Sequence, residues 1–117
     1  MSGTVAFHGG VAAEEAVARL YERSGHGIAA RRWRSPAGEI DLIARKDGGV
    51  VFVEVKRARD IARAAERLGA RQIGRILRAA EHFLAGEPAG ADSAARIDVA
   101  LVDGSGRIEV IENIGMA

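Results

Sequence analysis

Asp41, Glu54 and Lys56 stand within two runs, 39–45 and 50–56, that otherwise read as buried β-strand, and Glu39 adds a fourth charge. An ionised side chain in such a strand is costly unless something compensates it. The intervening Lys46-Asp47-Gly48-Gly49 is hairpin chemistry, because Asp-Gly between apolar alternation favours a two-residue turn. A turn centred on Asp47-Gly48 sets Ile43 opposite Phe52, Asp41 opposite Glu54 and Glu39 opposite Lys56. Alternation then puts those six on one face and Ile40, Leu42, Val51, Val53 and Val55 on the other. Two carboxylates about 6 Å apart repel by about 3 kcal/mol at an effective dielectric of about 20. A proton or a cation between them relieves the repulsion. Oxygen-only ligation with an incomplete shell fits Mg²⁺ or Mn²⁺ rather than zinc. A turn on Gly48-Gly49 instead sets Asp41 opposite Lys56, an ordinary cross-strand ion pair. The hairpin alone leaves both registers open.

The elements that must position these residues follow from periodicity. Residues 11–24 read as a helix, with Ala13, Ala16, Val17, Leu20 and Ser24 recurring at three- and four-residue spacing and Glu15, Arg19 and Glu22 on another face. Gly25 ends it. A strand at 28–34 leads through the turn Ser35-Pro36-Ala37-Gly38 into the hairpin. Residues 62–85 are mostly helical, with Gly69 and Gly74 weakening the start, so the helix begins near residue 70. Two strands, 96–102 and 107–112, flank Asp103-Gly104-Ser105-Gly106. The order αβββαββ describes an α/β (α+β) fold, a central mixed sheet flanked by helices, in one domain over 1–117.

Composition excludes several chemistries. The 117-residue chain contains no cysteine, so disulfides, thiolate metal sites and cysteine nucleophiles are ruled out. The start "MSGTVAFHGG" lacks a signal-peptide pattern, and no apolar run approaches the roughly 18 residues of a membrane span. A cytoplasmic protein without membrane contact is expected. The formal net charge is only +1, yet eight basic residues against two acidic ones lie between Lys56 and Arg78. Arginines at 59, 63, 67, 71 and 75 recur every fourth residue, a stripe that is either a solvated face or a phosphate-binding one. Arg57, Arg71, Gln72 and Arg75 are the candidate nucleic-acid contacts. Trp33 reads as core or interface, with stacking on a base as the alternative, Asp98 as a packing residue or partner of an arginine, with contact to the site as the alternative, and His8, His26 and His82 as surface positions.

Asp41 followed thirteen residues later by Glu54-Val55-Lys56 resembles the D…(D/E)-x-K signature of the PD-(D/E)XK nuclease superfamily. More narrowly, "GEIDLIA" and "VFVEVK", with Glu14 and Gly25 before them and "RILRAA" and "RIDV" after, resemble the bacterial YraN family, grouped with Holliday-junction-resolvase-like nucleases. The resemblance covers nearly the whole chain. It implies a restriction-endonuclease-like core and a magnesium-dependent endonuclease, a hydrolase acting on branched or structured DNA, with a homodimer as a further expectation. It also implies metal ligation by Asp41, Glu54, the Val55 carbonyl and Glu14. Lys56 would act at the attacking water or the phosphate, and Glu39 would orient Lys56 or complete a second site. The family usually has lysine where Gln72 stands, and Ile40 replaces the superfamily's proline. The rival reading is a non-catalytic nucleic-acid-binding or assembly protein that keeps the fold.

Overall fold

The computed structural model describes residues 3–114. Five strands form one sheet in the order β1-β2-β3-β4-β5: β1 (Gly27–Ser35), β2 (Gly38–Lys46), β3 (Gly49–Arg57), β4 (Ala95–Val102) and β5 (Ile108–Ile111). All neighbours are antiparallel except β3 and β4, which run parallel and therefore need a crossover. That crossover carries α2 (Ile61–Glu66) and α3 (Ala70–Leu84), while α1 (Gly3–Arg23) precedes the sheet. The mixed sheet flanked by helices is the architecture expected from the sequence.

The hairpin turn centres on Asp47 (φ 53°) and Gly48 (φ 79°), both in the left-handed region that a type I′ turn requires. Leu42↔Val53 and Ile43↔Phe52 pair as that turn dictates, so the register that opposes Asp41 to Lys56 is excluded. Helix α1 extends earlier than expected, and it ends as expected at Gly25 (φ 88°). There the His26 N–H donates to the Tyr21 carbonyl and the Gly25 N–H to the Glu22 carbonyl, both at 3.0 Å.

One face of the sheet packs on α1 through Ala13, Val17, Ala18 and Tyr21 against Leu42, Ala44, Val51 and Val53. The buried stripe of α1 is thus rotated from the Ala16–Leu20–Ser24 line, because Tyr21 and Ala18 supply the fit against β-branched strand residues. The other face packs on α3, where Ile76, Ala79, Ala80 and Leu84 meet Ile43, Val50, Phe52 and Ile97. Trp33 joins this side, partly buried and edge-on to Phe83 with ring centroids 5.3 Å apart, so it packs against the core. Ile40 also packs on the α3 side, contrary to the alternation expected for it. The long basic helix is interrupted at 67–69: α2 starts at the Asp60 cap, whose side chain accepts from the Arg63 N–H, and α3 begins after Gly69. Arg63 also ion-pairs with Asp60, which removes it from the arginine stripe. Among the described residues, no helix is long and apolar enough to cross a membrane.

Candidate functional site

Pairing between β2 and β3 runs from Lys46↔Gly49 to Leu42↔Val53 and goes no further. Beyond that point β2 follows β1 and β3 follows β4. The strands part where Asp41 and Glu54 stand. The Val55 N–H, beyond the last pair, donates to Asp41 Oδ2 at 2.8 Å. A side-chain oxygen thereby satisfies a main-chain donor that the hairpin ladder leaves open.

Burial is the larger force on Asp41, and its hydrogen bond and charge interaction with Glu54 add to it. They push its carboxyl up to about 7, against the opposing pull of the Val55 N–H and the Lys56 charge. The protonated form of Asp41 is thereby favoured well above the pH at which an ordinary aspartate ionises. Glu54 is buried, and its Oε2 accepts from the Gln72 amide of α3 and lies 3.3 Å from Lys56 Nζ. Asp41, Glu54, Lys56 and Gln72 form one connected cluster.

A cleft of about 260 Å³ opens beside Asp41, lined by Glu14, Arg32, Glu39, Val55 and Arg57 as well. Glu14 reaches this cleft from α1, on the side it shares with the buried Ala18 and Tyr21, but it is held there by Arg32. Glu39 borders the cleft and sits 3.6 Å from Arg34, while Lys56 takes Glu54 as its ion-pair partner. The expected Glu39–Lys56 pairing is not formed, because β2 has left β3 before that position. Arg57 lines the cleft, apart from Arg71, Gln72 and Arg75.

Those three lie instead on a groove of about 490 Å³ bordered by Arg67, Arg71, Arg75 and Arg78. None of the four arginines makes a salt bridge among the described residues. Gln72 lines the groove and bonds Glu54, so it connects the groove to the carboxylate pair.

The donor chemistry fits a hard divalent cation: the facing carboxyls offer oxygen only, and the charge interaction with Glu54 that raises the Asp41 carboxyl is one a cation would relieve. Among the described residues, no three Asp, Glu or His side chains are gathered at metal-ligand spacing. The other carboxylates lining the cleft, Glu14 and Glu39, are engaged by Arg32 and Arg34. Arg32 is the site residue that sequence reading missed, since nothing in its type or spacing separates it from Arg31 and Arg34. Asp98 lies outside the cleft: fully buried, it accepts from Tyr21 Oη at 2.6 Å, Arg96 Nε at 3.0 Å and the Asn113 N–H at 3.0 Å. Its pairing with Arg96 is the arginine partnership expected from the sequence. His26 packs edge-on against Tyr21, His82 is exposed, and the His8 side chain lies outside the described residues.

Residues 13–102 match the model of a family described as uncharacterised protein family UPF0102. A UPF0102 protein of Cereibacter sphaeroides (strain KD131) is 60% identical over 113 residues, 97% of either chain. One of Ruegeria pomeroyi is 61% identical over 104 residues, 89% of this chain and 85% of that protein. One of Roseobacter denitrificans is 47% identical over 112 residues, 96% of this chain and 87% of that protein.

Proposed function

We propose a function for a chain that belongs to the uncharacterised protein family UPF0102: it is a cation-dependent endonuclease of the PD-(D/E)XK type, hydrolysing phosphodiesters in branched or otherwise structured DNA. The observation that carries this reading is the convergence of Asp41, Glu54 and Lys56 where β2 and β3 part. Asp41 and Glu54, with the Val55 carbonyl, would hold Mg²⁺ or Mn²⁺. When bound, such a cation neutralises phosphate charge and assists attack by water. Asp41, whose carboxyl is raised in the cation-free protein, would hold the cation in its ionised form. Lys56, held 3.3 Å from Glu54, presents its ammonium to the attacking water or to phosphate oxygen. The arginine groove, with no internal counter-charge from salt bridges, suits the phosphate backbone of the substrate.

The test is a panel of linear, flapped and four-way DNA incubated with Mg²⁺ or Mn²⁺, wild type beside Glu54→Ala. Cleavage that needs the cation and disappears in the variant is the expected outcome. A second reading, a nucleic-acid-binding protein without cleavage, is favoured by the groove, whose arginines make no salt bridge among the described residues. Binding to the panel with no cleavage under either cation would establish that reading over the first.

A further inference from the structure

Arg32 stands inside β1 with φ 47°, in the left-handed region that a long side chain rarely adopts. Strain of this kind persists where surrounding structure holds it, and it clusters at functional sites. Its local effect is to break the alternation of the strand. Arg31 and Arg32, adjacent in the chain, both reach α1: Arg31 Nε lies 2.9 Å from Glu15, and Arg32 donates to Glu14 Oε1 from Nε at 3.0 Å and from Nη2 at 2.6 Å. Glu14 is mostly covered, with 16% of its side chain exposed, so this pair is less screened than the surface pairs around it. Glu39 and Asp41 act on the same guanidinium, which lines the cleft with them.

Arg32 thus brings a side-chain cation to the wall of the cleft that Glu14, Glu39 and Asp41 also line. We propose that Arg32 is a positioning residue that withholds Glu14 from the cation's ligand set until a phosphate of the substrate takes the guanidinium. The planar guanidinium fork matches phosphate as well as carboxylate, so a phosphodiester entering the cleft competes directly with Glu14. Glu14, once released, becomes the third carboxylate beside Asp41 and Glu54. Cation and DNA then favour each other's binding, because coupling between two sites is reciprocal.

The inference rests on the nuclease reading, and calorimetric titration of the DNA-free protein with Mn²⁺ separates the two. Arg32→Asn is the variant of choice, since asparagine tolerates positive φ and is too short to hold Glu14. It should bind Mn²⁺ about fivefold or more tightly than wild type, and the gain should vanish when Glu14→Gln is added. Arg32→Gly, which removes the strain as well, serves as the second variant and should show the same gain. Unchanged or weaker Mn²⁺ binding in both Arg32 variants overturns the proposal, as does a gain that survives Glu14→Gln. If Glu54→Gln alone abolishes Mn²⁺ binding while the Arg32 variants match wild type, the nuclease reading stands and only this proposal fails. If Mn²⁺ binds wild type and Glu54→Gln equally, both fail.

Discussion

The Asp41 carboxyl is pushed up to about 7 by burial and by Glu54, so it holds its proton to much higher pH than an isolated aspartate, which loses it near pH 4. Its carboxyl is raised in the folded state, so the stability associated with that proton is complete below the unfolded value and is lost as pH rises through about 7. The cation-free protein should therefore melt at progressively lower temperature from about pH 5 to 7, then level off. Asp41→Asn should remove this slope: its amide oxygen can still accept from the Val55 N–H, and its NH₂ can donate to Glu54. At pH 8 the variant should be more stable than wild type by about 1 kcal/mol, one net hydrogen bond without the repulsion. It should also lose stabilisation by Mn²⁺. Thermal melts of both proteins across pH, with and without Mn²⁺, check this. A flat wild-type profile with a destabilised variant would show that Asp41 acts as an ion-pair partner. The opposition of Asp41 and Glu54 was legible in the sequence because it needs only a turn position and a two-residue period. The Arg32 grip on Glu14 was not, because no residue pattern announces a positive φ at an arginine.

Among the elements, the β2–β3 hairpin controls the site, and its turn is held by backbone conformation alone. Gly48 has φ 79°, and a Cβ there would meet no atom within 4 Å. Gly48→Ala should therefore cost about 1 kcal/mol, the left-handed penalty without a steric one. Urea denaturation measures it, and the Mn²⁺ response should be retained because Ile43, Phe52 and their α3 contacts still fix the register. A variant that folds but loses the cation response would mean that the turn, not the core, sets the register. At the other end of the hairpin, β2 turns away from β3 and Ile40 packs beside Trp33 and Ile76. A period-two reading cannot foresee that departure, since it arises from the fit of the α3 core rather than from the strand. Helix α1 was found but rotated in phase, because its alanine-rich pattern offers two similar stripes and the sheet selects the one with Tyr21.

For the molecule as a whole, the cleft and the arginine groove are different surfaces connected through Gln72, Glu54 and Asp41. Arg71→Glu combined with Arg75→Glu should weaken DNA binding and make its salt dependence shallower by about 1 to 2 in the log–log slope, one phosphate contact for each arginine. Mn²⁺ binding should stay at the wild-type level, because neither side chain borders the cleft. Fluorescence anisotropy over a salt series reads the first effect and calorimetry the second. An unchanged slope would reduce the groove to a solvated face.

The sequence by itself determined the element order, the Asp47-Gly48 turn and the approach of Asp41 to Glu54, since turn chemistry and side-chain alternation act over a few residues. It also exposed the basic run from which the groove is built. Tertiary structure alone decided that Gln72 bonds Glu54, that Arg32 grips Glu14, and that Tyr21 reaches the buried Asp98. The bonds of Gln72 to Glu54 and of Tyr21 to Asp98 each join a helix to a strand, and their geometry depends on which helix face settles on which strand. The third, Arg32 with Glu14, depends on a backbone dihedral that the packed site imposes on its own residue.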